Sequence, residues 1–343
     1  MKCPLLLKYY EVMKSISVGI DVSKRTLDVC LKAPDQEQHF KIENKIKSIK
    51  KLFKELSKIN NCAVIAMENT GHYNHQLYRV LPNFDFTVYV IDPKHIKRSI
   101  GLVRGKNDKV DAKRIATFIE RNHEDLDPWE PLSESVYSLK VLLTERKAEV
   151  DRIKSLKQRI EGLNQQKSIS SVPKLITRNK KEIQRIQKRV KEIEKMIRGE
   201  IAKETALKKE IDRIKTVPGI GDITAWMIAA KTHGFKRLLD PRKLACFAGV
   251  VPFEQQSGSS LKTKPRVSKM ADRSLKSVLQ MAAMRAVRLN NELQEFYHRK
   301  IEEGKNKMSV LNAVRNKLIH IAMALIKNKT YYKNRLVLSS KSR

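Results

Sequence analysis

Four carboxylates in this sequence, Asp21, Glu68, Asp108 and Asp111, are spaced so that several elements could bring them together for chemistry. Asp21 lies in the strand-like run Ser17-Val18-Gly19-Ile20-Asp21-Val22, where alternation sets it opposite Ile20 and Val22. Glu68 directly ends the apolar run 62–67 (CAVIAM), a position where a carboxylate is expensive unless it is bound or paired. Asp108 and Asp111 are three residues apart at a helix start and face the same way. Phosphodiester chemistry with Mg²⁺ or Mn²⁺ needs such hard oxygen ligands converging from several elements. Taken singly, each acid has a plainer role. Asp108 and Asp111 would favour a helix N-terminus through its dipole, and Asp21 would form a turn before Ser23. The signal is four of them in this order on these elements. Asp28 and Asp92 compete, and rank lower as a hairpin-strand residue and a turn residue before Pro93.

A second set of residues points to a polyanion. Lys94, Lys97, Arg98, Arg104 and Lys106 lead into Asp108, and Lys262, Lys264, Arg266 and Lys269 follow Ser257 at short intervals. Such runs serve solubility or clamp phosphates. Val217-Pro218-Gly219-Ile220-Gly221 before an apolar helix has the form of a helix-hairpin-helix turn. There Gly219 and Gly221 would let backbone N–H groups approach a phosphate; an ordinary helix–helix turn fits equally. Ser257-Gly258 sits in a Gly/Ser/Lys-rich stretch that composition alone reads as a flexible loop. Trp226 reads as core.

The elements that must hold these groups fall into three stretches. Residues 15–127 alternate strand-like and helix-like segments: a hairpin at 17–22 and 26–32, a helix over 46–56, strands at 62–67 and 86–91, and helices at 75–81 and 108–119. That order predicts a mixed sheet with helices packed on it. Residues 138–215 carry apolar positions at heptad spacing, interrupted by Ser168-Ile169-Ser170-Ser171-Val172-Pro173. They predict long coiled-coil helices, either folded back as a solvated hairpin or serving as a dimerisation arm. Residues 216–328 predict a helical domain, with helices at 223–230, 272–289, 291–303 and 309–327. An N-terminal extension (1–14) and a basic, frayed tail (329–343) flank the whole.

Composition bounds the function. The 343 residues hold 71 Lys plus Arg against 37 Asp plus Glu, a formal charge of +34 and a pI near 10.0. So strong a self-repulsion points to a nucleic-acid partner. A hydrophobic content of 41% argues against wholesale disorder. Mean hydropathy is −0.48, and no uncharged run approaches the roughly 18 residues of a membrane span. Four scattered cysteines exclude a disulfide scaffold or zinc ribbon and fit a reducing compartment.

Gly19-Ile20-Asp21-Val22-Ser23-Lys24, Met67-Glu68-Asn69-Thr70-Gly71 and Lys106-Asn107-Asp108-Lys109-Val110-Asp111-Ala112 resemble the three acidic motifs of the insertion sequence 110 family of DEDD transposases. Asn107 stands where that family usually has Thr. The resemblance implies an RNase H-like first domain related to the Holliday-junction resolvase RuvC, with its metal-binding tetrad on Asp21, Glu68, Asp108 and Asp111. From Thr216 onward the chain resembles the family's second transposase domain, through Ala248-Gly249-Val250-Val251-Pro252, Gln256-Ser257-Gly258, Ser268-Lys269 and Met281-Ala282-Ala283. The family's usual Gly after Ser-Lys-X is replaced here, since Met270 is followed by Ala271 and Asp272.

The resemblance implies that Ser257 is a nucleophile, with Ser259 and Ser260 close enough to be confused with it. Serine attack would keep the phosphodiester energy in a covalent phosphoserine link, so that strands can be rejoined. It also implies donor and target DNA as substrates and an element-encoded structured noncoding guide RNA. A homo-oligomer (dimer or tetramer) and a prokaryotic, cytoplasmic, nucleoid-associated location are further expectations. Two rivals stand beside this reading: a metal-dependent junction-resolving nuclease that uses water, and a non-catalytic nucleic-acid binder.

Overall fold

The computed structural model describes residues 16–34, 36–58, 63–100, 108–257, 261–268 and 271–334. They form two compact units that divide between Pro131 and Leu132.

In the first unit one mixed sheet has the order β3-β2-β1-β4-β5. Its strands are β1 (Ile16–Val22), β2 (Thr26–Lys32), β3 (Glu37–Glu43), β4 (Ala63–Glu68) and β5 (Val88–Ile91). The first three form an antiparallel meander, and β4 and β5 run parallel to β1. Four helices accompany them: α1 (Ile46–Leu56), α2 (His75–Val80), α3 (Pro93–Ile100) and α4 (Asp108–Asn122). The mixed sheet with packed helices anticipated from the sequence is present, with one addition. The hairpin has a third strand, β3, whose sequence EQHFKIE is too polar to announce itself.

Alternation along β1 sorts its side chains. Ile16, Val18, Ile20 and Val22 are buried with Ile49, Leu52, Phe53 and Leu56 of α1 and Leu77 of α2. Phe53 completes a triangle of rings with Phe84 and Phe86, at 5.7 and 5.8 Å. Each such side chain stabilises by about 1.5–3 kcal/mol when fully buried, so a one-residue slip of β1 would lose several of them at once. The other face meets α4. A side chain at Gly19 would stand 2.1 Å from the Ala112 carbonyl and 2.4 Å from the Ala116 nitrogen. Strand and helix therefore touch backbone to backbone, and glycine is required there by close approach.

The second unit is helical: α5 (Glu134–Asn164), α6 (Val172–Lys203), α7 (Thr205–Lys215), α8 (Asp222–Lys231), α9 (Pro241–Phe247), α10 (Arg273–Ala286), α11 (Glu292–Glu302) and α12 (Lys307–Asn328). Between α9 and α10 lies an antiparallel ribbon, β6 (Pro252–Ser257) and β7 (Leu261–Val267). The stretch expected as a flexible loop is thus a β-hairpin. Helices α5 and α6 run antiparallel within the chain, joined by Arg146–Glu194 at 2.8 Å and by Glu149, which reaches Arg152 at 2.9 Å and Arg189 at 3.4 Å. The heptad run expected to continue to residue 215 stops at Lys203. Glu204 is extended, and Ser133 Oγ donates to its carboxylate at 2.7 Å. Helix α7 then joins the core with Leu207, Ile211 and Ile214. Trp226 is buried there as expected, under the Arg198 guanidinium at 5.4 Å.

The start of the tail also departs from expectation. The Tyr332 N–H donates to Thr216 Oγ1 at 2.9 Å, and the Asn334 amide donates to the Asn290 carbonyl at 2.9 Å. No described helix is long and apolar enough to cross a membrane.

Candidate active site

Asp21 is the sixth residue of β1 and shares the α4 side of the sheet with Gly19. Its cross-strand partner is Asp28 of β2, which is itself in register with Lys41 of β3. Lys41 Nζ lies 3.1 Å from Asp28 and 3.5 Å from Asp108. On the other side, Ile20 pairs with Met67 in the parallel register of β1 and β4. The next step along both strands puts Glu68 beside Asp21. Ile20 and Met67 belong to the core on the far face, so alternation sends both acids toward α4.

The turn after β4 is built to hold that strand end. Asn74 is fully buried. Its Oδ1 accepts from the Thr70 N–H at 2.8 Å and the Thr70 hydroxyl at 2.7 Å, and its amide donates to the Glu68 carbonyl at 2.9 Å. Gly71 has φ of +71°, a conformation that favours glycine. The motif Glu-Asn-Thr-Gly is therefore a carboxylate followed by the turn that fixes it.

Asp108 and Asp111 occupy the first turn of α4, as expected. Asp111 accepts from Arg114 at 2.8 Å and is 27% exposed, whereas Asp108 is 62% exposed. Burial pushes the Asp21 carboxyl up to about 6, with Glu68, Asp108, Asp111 and Asp28 adding repulsion in that order. The charges of acids from β2, β4 and α4 thus reach Asp21 of β1 although up to 90 residues separate them from it in sequence. Such crowding favours a shared proton or a bound cation. The donor set is all carboxylate oxygen, which fits a hard divalent ion such as Mg²⁺ or Mn²⁺.

Asp28, ranked lower from the sequence, stands beside Asp21, and Lys41, which the sequence alone did not single out, stands beside Asp28. Strand register, which single-strand alternation does not reveal, brings both to the site. Asp92 keeps a local role, with its Oδ1 accepting from the Lys94 N–H at 2.8 Å beside the first turn of α3.

Ser257 is the last residue of β6, in register with Leu261. Lys262, Lys264 and Arg266 take alternate positions of β7. Arg104, Lys106, Lys269, Ser259 and Ser260 lie outside the described residues. Between α7 and α8, Gly219 has φ of +87°, and a side chain there would stand 2.2 Å from the Ala282 carbonyl of α10. Gly221 faces open space and caps α8. The next residue, Asp222, pairs with Lys215 at 2.7 Å and Arg198 at 3.1 Å, so the helix N-terminus already carries a carboxylate.

Two family models match the chain. DEDD transposase of the IS110 type matches residues 18–167, and transposase of the IS116/IS110/IS902 family matches 211–298; together they span more than two thirds of the sequence. A pilin gene-inverting protein from Moraxella bovis is 24% identical over 332 residues, covering 94% of this chain and 99% of that one. A transposase for insertion sequence element IS1328 from Yersinia enterocolitica is 29% identical over 140 residues, 40% of this chain and 41% of its own. Among solved structures, T. thermophilus RuvC in complex with Holliday junction substrate aligns at 15% identity and a TM-score of 0.26, covering 34% of this chain and 99% of that chain.

Proposed function

The chain belongs to the IS116/IS110/IS902 family of transposases, enzymes of DNA recombination, and from that premise we propose that it cuts and rejoins donor and target DNA through a covalent phosphoserine intermediate. The observation that carries the proposal is the convergence of the acids: strand register sets Asp28 and Glu68 on either side of Asp21, Lys41 bridges Asp28 and Asp108, and the charges of Glu68, Asp108 and Asp111 reach Asp21. A protein that only binds a polyanion gains nothing from gathering acids where phosphates must approach.

Asp21, Glu68, Asp108 and Asp111 would hold divalent cations, Mg²⁺ or Mn²⁺, which when bound supply charge neutralisation at a phosphate and activation of an attacking oxygen. The chain's own residues do the rest. Asn74 and Thr70 fix the β4 end, so that Glu68 keeps its place beside Asp21. Close packing of α4 on Gly19 sets Asp108 and Asp111 over the same point. Lys41 offsets part of the acidic charge and links the exposed Asp108 to Asp28. Ser257 Oγ would form the bond to phosphorus while a DNA hydroxyl leaves; its proton passes to a base, and the reverse attack by another strand releases the serine.

Arg104, Lys106, Lys262, Lys264, Arg266 and Lys269, with the Gly219–Gly221 turn, would contact nucleic-acid backbone. The charge of +34 supports a structured guide RNA beside DNA. Assembly as a dimer or tetramer through the α5–α6 hairpin completes the proposal, in a prokaryotic cytoplasm beside the nucleoid.

The test is a covalent-adduct assay with donor and target duplexes, Mg²⁺ and RNA transcribed from the flanking DNA. Wild type should yield DNA attached to protein on a denaturing gel, and Ser257→Ala and Asp21→Ala should yield none. Free cleaved DNA that persists in Ser257→Ala would establish water as the nucleophile and overturn the phosphoserine step.

A further inference from the structure

On the same side of the sheet as the carboxylates, one rung further along, three different donor atoms come together. Gly19 of β1 is in register with Cys30 of β2, which is in register with His39 of β3. Glu37 lies two residues before His39 on the same face. Among the described residues, Cys30, Glu37 and His39 form a group whose ligand atoms all lie within 4.8 Å of one another. Cys30 Sγ is 3.7 Å from His39 Nε2, and that nitrogen is 2.5 Å from Glu37 Oε1. The thiol is fully buried beside Ala112 and Ala116 of α4, whereas the carboxylate and imidazole are 28% and 15% exposed.

We propose that Cys30, His39 and Glu37 bind a transition-metal ion of the Zn²⁺ class, at a site separate from the carboxylate centre. Sulfur and imidazole nitrogen select such an ion over Mg²⁺. Donors at 2.0–2.3 Å in tetrahedral array stand about 3.3–3.6 Å apart, so the observed Sγ–Nε2 separation already suits a shared ion. The carboxylate has to open from the imidazole by about 0.8 Å to complete that array. Its other oxygen is 2.5 Å from Lys113 Nζ, whose side chain is 51% exposed and free to swing into water.

Binding is balanced in protons. Burial pushes the Cys30 thiol up to about 12, so the ion must displace that proton, which leaves to solvent. His39 Nε2 now faces the accepting Glu37 carboxylate and so carries the imidazole proton. It gives that proton up and the ring takes one at Nδ1 from solvent, so that Nε2 offers its lone pair with no net change in the ring's protons. Three protein ligands leave a fourth position for water. The ion would join the edge strand β3 to β2 at His39, two residues from Lys41, and so steady the strand that reaches Asp28 and Asp108. The sequence alone hides the site because its ligands meet only through strand register.

The test uses the reduced full-length protein, stripped with a chelator and titrated with Co²⁺ as the probe. Wild type should bind one Co²⁺ with a near-ultraviolet sulfur-to-cobalt charge-transfer band, and Zn²⁺ should abolish that band. Cys30→Ser should lose it, His39→Gln and Glu37→Gln should weaken Co²⁺ by on the order of a hundredfold, and Asp21→Asn should leave it unchanged. The Gln variants replace partly exposed side chains and remain decisive if Cys30→Ser does not fold. No band in wild type, a band that survives Cys30→Ser, or affinities unmoved by both Gln variants would overturn the assignment.

Discussion

Replacing Asp21 by Asn should stabilise the first unit, and the gain should depend on pH in a direction that most carboxylates do not show. The folded chain holds Asp21 with its pKa raised from 3.8 to about 6 by burial and by Glu68, Asp108, Asp111 and Asp28. Because the folded state binds this proton more tightly than the unfolded chain, the charge destabilises the fold above pH 6. The penalty is relieved as pH falls through 6 and is gone below about 4. A shift of about two units corresponds to roughly 3 kcal/mol at pH 8, and solvent screening at this half-buried position reduces it to about 1–2 kcal/mol.

Asn keeps the shape and removes the charge, so Asp21→Asn should gain that amount at pH 8 and nothing at pH 4. Urea unfolding followed by Trp129, which stacks on Tyr78 at 5.1 Å, reads this unit in a Trp226→Phe background. At a slope of about 2 kcal/mol/M, the midpoint should rise by about 0.5–1 M at pH 8. Excess Mg²⁺ should raise the midpoint of the parent and leave that of Asp21→Asn unmoved. A variant that is equally or less stable at pH 8, or whose gain persists at pH 4, would refute the claim that these acids strain one another.

The second unit should respond to acid with the opposite sign. His233 is held neutral down to about 4 by burial and by Lys140 and Arg237, so its unfolded form gains a proton first. Stability should fall as pH drops from 6.5 toward 4, by about 2–3 kcal/mol. His233→Asn, which tolerates the left-handed φ of 53°, should flatten the profile in pH-dependent unfolding. Gly19→Ala should cost about 1–3 kcal/mol or more by forcing α4 off β1; thermal unfolding checks the cost, and DNA cleavage should fall with it. Asn74→Ala strips three hydrogen bonds from a buried turn and should cost about 2–3 kcal/mol, with weaker Mg²⁺ protection than the parent in the same unfolding assay.

What the sequence disclosed follows from cost. An acid at the end of CAVIAM, and another inside an apolar strand, are visible because folding alone resists them. The strands β1, β2 and β4 are visible because their apolar positions bury large side chains. Edge strand β3 was missed because an edge has one partner and keeps a polar face, and with it went Lys41, Glu37 and His39. The β6–β7 ribbon looked like a loop for the same reason, since QQS and LKTKPRV carry little apolar signal. Gly219 illustrates a different limit. Its motif was legible, but one physical reason for the glycine is the Ala282 carbonyl of α10, some sixty residues away.

The sheet of the first unit separates holding from chemistry by parity. Even-numbered residues of β1 face the core of α1 and α2, while Ser17, Gly19 and Asp21 face α4. Reading across the strands on the α4 side gives one rung of Asp21, Asp28 and Lys41 and a second of Gly19, Cys30 and His39. The first gathers hard oxygens under a cation; the second places sulfur and nitrogen over a glycine that lets the helix close. Each depends on the three-residue turn in which Ser23 Oγ donates to the Thr26 carbonyl at 2.8 Å. One residue inserted there would shift β2 against β1 and turn Asp28 and Cys30 toward the apolar core. Both rungs would be lost together while the composition barely changed. The acids therefore meet only in a register that the apolar face enforces, and the buried isoleucines of β1 hold the carboxylate cluster together as surely as the acids compose it.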